Sequence, residues 1–107
     1  MKVGVRCGLG LAGLVISVGT LSFAQASGEA IYKQRCFSCH GVGGLANSGV
    51  GKIMKVKPIT DPDVRKMSEA EMIEVVRKGG GRMEAYKGSL TEDQIKATVE
   101  YYRSFLK

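Results

Sequence analysis

Two cysteines and a histidine stand close together in the segment Cys36-Phe37-Ser38-Cys39-His40. On a helical turn this spacing brings both thiols to one face, with the imidazole immediately beyond them. Thiols in this arrangement can add to the vinyl groups of a haem, and the histidine can then bind the iron from below. The segment therefore predicts one covalently attached haem c, held by Cys36 and Cys39, with His40 as an axial ligand of the iron.

Two other chemistries use a similar cysteine spacing: a thioredoxin-like redox pair and a zinc site built from cysteine and histidine. A structural zinc site normally takes four protein ligands, whereas His40 is the only histidine and Cys7 is the only further cysteine. A thioredoxin-like fold needs alternating strands and helices, and the sequence carries no such pattern. Haem attachment is thus favoured over both, and over a haem-free protein that would use the two cysteines as a dithiol.

The single histidine leaves the methionines as candidates for the sixth iron ligand. Met72 falls on the apolar face of a predicted helix, Met67 just precedes that helix, and Met54 stands among lysines. Met83 follows a run of three glycines, on a loop between two predicted helices that could close over the far side of a haem. The sequence therefore predicts Met83 as the second axial ligand, its alternative role being that of a gap-filling core residue.

The N-terminal segment has the composition of an export signal. A basic start and an apolar run over residues 7–23 are followed by Ala-Gln-Ala at 24–26, a small-x-small pattern that signal peptidase accepts. The competing interpretation is an uncleaved anchor, but the run contains several glycines and is short against the roughly 20 apolar residues of a spanning helix. We expect a signal peptide over residues 1–26, a monohaem domain over residues 27–107, and a periplasmic location.

The charge and cysteine content narrow the classes of partner. The chain carries 16 Lys and Arg against 10 Asp and Glu, a net charge of +6, and Cys7 would leave with the signal. No disulfide framework then remains to brace a small domain, so a bound cofactor is expected to support the core. The mild basic excess favours acidic docking partners, whereas basic residues interleaved with acids in an exported chain argue against nucleic-acid binding.

The periodicity of apolar residues predicts helices and no strand. Glycines and prolines are concentrated in one central region, which indicates a long loop wrapped around a ligand. Four segments are predicted: a helix over residues 28–39, an ordered loop over 41–63, a helix begun by a capping box of Ser68 and Glu71 and ended by glycines 79–81, and a C-terminal helix begun by a box of Thr91 and Gln94. The fold class is all-α.

Both terminal helices carry a known signature. Gly28, Tyr32 and Cys36 form the pattern Gly-x-x-x-aromatic-x-x-x-Cys, and Val99 to Tyr102 forms an apolar-x-x-Tyr pattern. In these features the chain resembles the small class I c-type cytochromes of bacteria. The resemblance implies a cytochrome c-like fold in which these helices cross, with the glycine permitting close contact, and in which helices and loops surround one haem. Tyr32 and Tyr102 are then the expected interhelical pair.

The resemblance extends to the loop before the last helix. Residues 78–90 resemble the family's methionine loop, with Met83, Tyr86 and Leu90 in the positions of its ligand, aromatic and leucine. One departure is Glu84, since a proline usually follows the ligand methionine.

A second departure concerns the histidine. The family commonly has a proline carbonyl that accepts a hydrogen bond from the histidine ring, and no proline occurs here between His40 and Pro58. We expect a backbone carbonyl between Asn47 and Gly51 to accept this hydrogen bond from the His40 ring.

These observations and the resemblance predict an electron carrier that passes single electrons through the haem without turning over a substrate, and so no enzyme. Its expected state is a monomer, and its implied partners are a membrane quinol-oxidising complex and a terminal oxidase or periplasmic reductase. The alternative is a haem-based gas sensor or weak peroxidase in which Met83 does not bind and the sixth position is open. A docking rim around the haem edge is a further hypothesis, with Lys33, Arg35, Arg82 and Lys87 as its candidates.

Overall fold

The computed structural model describes residues 27–107 together with residues 4, 8, 10 and 12–16. The expected export signal, residues 1–26, therefore lies largely outside the described residues, and so does Cys7. Within the described part of the chain, no helix combines the length and the apolar character that crossing a membrane requires.

The first helical stretch runs from Gly28 to His40 and changes its winding twice. Helix α1, Gly28–Ile31, passes into a π-helical turn, Tyr32–Cys36, and then into helix α2, Phe37–His40. The backbone N–H of Phe37 donates to the carbonyl oxygen of Tyr32, which closes the wider turn. The predicted helix over residues 28–39 is confirmed. The π-helical turn was not predicted, and it ends at the first cysteine of the haem motif, in keeping with the tendency of such turns to occur at functional sites.

The segment predicted as a loop over residues 41–63 contains short helical elements, and in this respect the prediction was wrong. They are a 3₁₀ turn, Val42–Gly44, helix α3, Gly49–Ile53, and the start of helix α4, Pro62–Arg65. The side chain of Ser48 accepts from the N–H of Gly51, and that of Asp61 accepts from the N–H of Asp63. Single cap residues of this kind start a helix even where glycines and prolines are frequent.

Two longer helices complete the domain, and both begin where the capping boxes predicted. Helix α5, Glu69–Lys78, begins after Ser68, and helix α6, Glu92–Arg103, begins after Thr91. In each box the cap hydroxyl accepts a hydrogen bond from the backbone N–H of the third helical residue. The side chain of that third residue accepts a hydrogen bond from the backbone N–H of the cap residue. A last 3₁₀ turn, Ser104–Leu106, follows α6.

Helices α1 and α6 cross at close range, as the resemblance implied. A Cβ atom on Gly28 would lie 2.0 Å from the carbonyl oxygen of Ala97, so a side chain at this position would push the helices apart. Ile31 and Tyr32 are buried on one side of the crossing, and Ile95 and Val99 on the other. The described residues form no strand beyond an isolated bridge between residues 80 and 83, and the predicted all-α class is confirmed.

Candidate haem-binding cleft

A cleft lies between the first helical stretch, helix α6 and the loop that follows α5. It consists of two adjoining cavities of about 340 and 390 Å³. Five residues line both cavities: Cys36, His40, Val56, Gly80 and Met83. The first cavity is otherwise lined mainly by apolar side chains, among them Val64, Met67, Met72, Val75, Val76 and Val99. Such a lining, with a few convergent polar or coordinating groups, suits a flat apolar ligand.

Both cysteines of the motif reach this cleft as free thiols. Cys36 lines both cavities and Cys39 lines the second, and each side chain is half-buried. Burial raises the pKa of the Cys36 thiol to about 11, so the group stays protonated at neutral pH. The π-helical turn and α2 thus present two thiols to one cavity wall, as the spacing of the motif predicted.

The histidine of the motif presents a neutral imidazole to the cleft. Desolvation on burial lowers the pKa of His40, because the charged ring is disfavoured away from water. Its Nδ1 atom is buried and has no hydrogen-bond partner among the described residues, so the expected bond to a carbonyl between Asn47 and Gly51 is not formed. The ring meets Tyr102 edge-on, with centroids 5.5 Å apart. A neutral imidazole that is free of other bonds can supply a lone pair to a metal.

Three hydrogen bonds hold the backbone of the motif in place. The hydroxyl of Tyr32 donates to the carbonyl oxygen of Gly41 at 2.6 Å, and this bond is buried. The hydroxyl of Ser48 donates to the carbonyl oxygen of Ser38 at 2.7 Å, and the N–H of Ala46 donates to that of His40 at 2.8 Å. The carbonyls of Ser38, His40 and Gly41 are thereby paired, and the backbone from which the imidazole projects is held in place.

The methionines differ in their relation to the cleft. Met67 and Met72 line the first cavity and Met54 lines the second, whereas Met83 lines both. Met72 is buried, and its sulfur accepts a long hydrogen bond, 3.8 Å, from the guanidinium of Arg103. Of the four methionines, Met83 is thus the one common to both parts of the cleft, and Met72 is already engaged by the protein.

Met83 is carried by a tight turn, and residues 79–86 are here called the methionine strap. The N–H of Met83 donates to the carbonyl oxygen of Gly80 at 2.9 Å, and the reverse bond measures 3.1 Å. Gly79 has φ +71°, and a Cβ atom there would lie 2.7 Å from the carbonyl oxygen of Met83. A glycine is required at this position, both for its backbone angle and for the close approach of the returning chain.

The family model of the cytochrome c oxidase, cbb3-type, subunit III matches residues 23–101, most of the chain. The chain belongs to the small class I c-type cytochromes. Cytochrome c6 of Leptolyngbya boryana is 32% identical over 76 residues, which are 71% of this chain and 86% of that protein.

Two other relatives are much longer than this chain. The cbb3-type cytochrome c oxidase subunit FixP of Bradyrhizobium diazoefficiens is 34% identical over 84 residues, which are 77% of this chain and 28% of that protein. The dihydro-heme d1 dehydrogenase of Pseudomonas aeruginosa is 34% identical over 97 residues, which are 87% of this chain and 18% of that protein. The chain therefore spans less than a third of these two relatives.

The comparison of folds agrees with the comparison of sequences. The c-type cytochrome KustC0563 superposes with a TM-score of 0.67 at 30% identity, over 75% of this chain and 98% of that one. Cytochrome c6C from Synechococcus sp. PCC 7002 superposes with a TM-score of 0.57 at 23% identity, over 75% of this chain and 96% of that one. The predicted cytochrome c-like fold is confirmed.

The residues of the cleft fit a c-type haem. Two thiols reach one wall of the cleft, a neutral imidazole with an unpaired buried nitrogen stands beside them, and apolar side chains line the interior. In the strap, Gly79 allows the backbone to fold closely upon itself. A thioether and an imidazole form a donor set that haem iron accepts in electron-carrying cytochromes.

The basic residues predicted to form a docking rim are only partly brought together. Arg35 and Arg82 both line the second cavity, whereas Lys33 and Lys87 do not. Lys33 pairs instead with Glu29 at 2.7 Å on the exposed side of α1. A further basic residue, Lys55, also lines this cavity. It was not predicted, because the spacing of residues along one helix does not show that Lys55 lies near Arg35 and Arg82.

Two contacts in the cleft were missed by the sequence analysis. The hydroxyl of Tyr86 lies 3.1 Å from the carbonyl oxygen of Arg35, and Arg103 reaches Met72. The first pair is separated by 51 residues and the second by 31, so no local pattern could have linked them. The predicted pair of Tyr32 and Tyr102 is confirmed, with stacked rings 6.2 Å apart.

Proposed function

We propose that this protein is an exported, periplasmic electron carrier that holds one haem c. Cys36 and Cys39 form its two thioether bonds, and His40 and Met83 are the axial ligands of the iron. The observation that carries this proposal is that Cys36, His40 and Met83 line both parts of the same cleft. When bound, the haem supplies a one-electron ferric/ferrous couple.

The two ligands differ in how the chain supplies them. His40 projects from the end of α2, where hydrogen bonds hold the backbone in place. Met83 lies on the strap, the turn that follows α5, and lines the same cleft. Met72 is the weaker candidate because its sulfur lies against Arg103, and releasing it would cost that contact and its burial.

Two properties of the cleft favour fast electron transfer without substrate turnover. With His40 and Met83 both bound, the iron would keep no open position, and small molecules would be excluded from it. The neutral ligands and the apolar lining favour the ferrous state, because the extra positive charge of ferric iron is poorly solvated there, and we expect a fairly positive potential. The protein is accordingly proposed to be no enzyme.

Export and partners complete the proposal. Residues 1–26 are proposed to be a cleaved signal peptide and residues 27–107 the haem domain, which acts as a monomer. A membrane quinol-oxidising complex is the proposed donor, and a terminal oxidase or periplasmic reductase the proposed acceptor. In support, one relative is named as a subunit of a cbb3-type oxidase and another as a dehydrogenase of dihydro-heme d1, both redox proteins.

The test is a pair of visible spectra. The full chain is produced with a haem-maturation system, purified, reduced, and measured before and after carbon monoxide is added. A covalent haem spectrum that carbon monoxide leaves unchanged is the expected result, since Met83 occupies the sixth position. Ready binding of carbon monoxide would contradict the Met83 ligation and favour the gas sensor or peroxidase. Absence of haem would contradict the proposal altogether.

A further inference from the structure

Two long-range side-chain hydrogen bonds leave the methionine strap on either side of Met83. The guanidinium of Arg82 donates to the carbonyl oxygen of Ile53, the last residue of α3, at 3.1 Å. The hydroxyl of Tyr86 lies 3.1 Å from the carbonyl oxygen of Arg35, in the π-helical turn just before Cys36. Arg35 belongs to the helical stretch that carries the haem motif, and Ile53 belongs to α3, which packs against α2. These two elements are here called the motif side.

The other hydrogen bonds of the strap do not cross the cleft. The backbone N–H of Tyr86 donates to the carbonyl oxygen of Val76, and Gly79 donates to Val75, so these bonds return to helix α5. The bonds between Gly80 and Met83 lie within the strap itself. Among the described residues, the side chains of Arg82 and Tyr86 therefore make the hydrogen bonds that join the strap to the motif side.

The two bonds differ in burial. Tyr86 has an exposed fraction of 6%, and its one hydroxyl proton is shared between the carbonyl oxygen of Arg35 and a carboxylate oxygen of Glu84, 3.0 Å away. Burial is the main reason that the pKa of this phenol rises to about 12, so the hydroxyl keeps its proton at neutral pH. Arg82 is exposed, and water competes for its guanidinium.

We propose that Tyr86, and more weakly Arg82, are positioning residues that hold the strap closed across the cleft and thereby determine how firmly Met83 stays on the iron. The inference rests on the proposed His40/Met83 ligation. An open strap takes the sulfur away from the iron, so each lost bond raises the fraction of molecules in which the sixth position is free. The bonds of Arg82 and Tyr86 stand on either side of Met83, so side chains tie the strap at both of its ends.

The experiment uses imidazole as a competitor for the sixth position of the ferric, haem-loaded protein. The apparent affinity for imidazole rises with the fraction of open strap, and it is compared among wild type, Tyr86→Phe and Arg82→Gln. Tyr101→Phe is the matched control for the phenol, since Tyr101 packs against Tyr32 rather than lining the cleft. Arg65→Gln is the control for the guanidinium, on the exposed end of α4.

We expect Tyr86→Phe to raise the affinity for imidazole by about three- to tenfold, the range for the loss of one hydrogen bond, here a partly buried one. Arg82→Gln should raise it by about twofold, and both controls should leave it unchanged. A Tyr86→Phe protein with wild-type affinity would overturn the inference. Thermal unfolding of each haem-loaded variant is measured alongside. If Tyr101→Phe loses as much stability as Tyr86→Phe and gains as much affinity for imidazole, the inference is also overturned.

Failure of the proposed function gives a different result. The weak red absorption band of methionine sulfur on ferric haem iron is recorded first for the wild type. Its absence there contradicts the Met83 ligation before any variant is compared. Its presence in the wild type together with an unchanged band and affinity in Tyr86→Phe leaves the ligation standing and contradicts only the role of the strap bonds.

Discussion

The two sides of the cleft are built in different ways. The motif side carries Cys36, Cys39 and His40 on one helical stretch, and the buried bond that fixes it joins residues 32 and 41, nine positions apart. The strap carries Met83 on a glycine-rich turn, and its bonds to the motif side span 29 and 51 residues. The hydrogen bonds within the motif side are thus local, whereas those that join the strap to it are long-range, and we expect the strap to open before the motif side does.

The largest expected effect comes from the cysteines of the motif side. Replacing both Cys36 and Cys39 with serine removes the groups that form the thioether bonds, and covalent haem should be lost completely. Haem staining of the protein after denaturing electrophoresis measures this. Cys7→Ser is the matched control, because this cysteine lies in the expected signal and should leave haem attachment intact. Covalent haem in the double variant would contradict the proposed attachment.

The next effect concerns the strap. Met83→Ala should keep the covalent haem but open the sixth position, so that the reduced protein binds carbon monoxide and the red sulfur-to-iron band disappears. Haem attachment should be unaffected, because Met83→Ala leaves the hydrogen bonds that hold the motif side unchanged.

Two further methionines serve as controls for that experiment. Met67→Leu and Met72→Leu change the lining of the first cavity while conserving volume, which typically costs less than about 1.5 kcal/mol. Both variants should keep the band and exclude carbon monoxide. Loss of the band in Met72→Leu, with its retention in Met83→Ala, would assign the sixth ligand to helix α5 instead.

A smaller effect is expected from the helix crossing that supports the motif side. Gly28→Ala puts a Cβ atom 2.0 Å from the Ala97 carbonyl oxygen, and forcing the backbones apart should lower the free energy of unfolding by about 1–3 kcal/mol. Denaturant unfolding of the haem-loaded protein measures it. The control is Gly88→Ala, where a Cβ atom meets nothing within 4 Å. Equal stability of the two variants would show that the close crossing is not needed.

The same comparison separates what the sequence predicts from what it does not. The cysteine motif and both capping boxes lie within five-residue windows, so the elements carrying them were predicted correctly. Helices α3 and α4 were missed because each depends on a single cap, Ser48 or Asp61, in a region whose glycines and prolines favour turns. The bonds from Tyr86 to Arg35 and from Arg103 to Met72 join distant segments, and spacing carries no information about such pairs.

The smallest effect is a change in stability with pH. Burial raises the pKa of Tyr102, on α6 against His40 of the motif side, to about 12, and that of Tyr86, in the strap, to about 12, from 10.0. The unfolded chain therefore loses these protons first as the pH rises. The stability that these phenols contribute is present below pH 10.0 and declines between about 10 and 12.

Phenylalanine variants distinguish the contributions of the two sides. Tyr102→Phe and Tyr86→Phe should each flatten the fall of unfolding free energy above pH 10.0, because a phenyl ring has no proton to release. Comparison with the wild type cancels the contributions that are common to all three proteins. In Tyr86→Phe the red band should also weaken, since the strap opens before the protein unfolds, whereas Tyr102→Phe should keep it. A band that weakens equally in both variants would mean that the two sides of the cleft open as one unit.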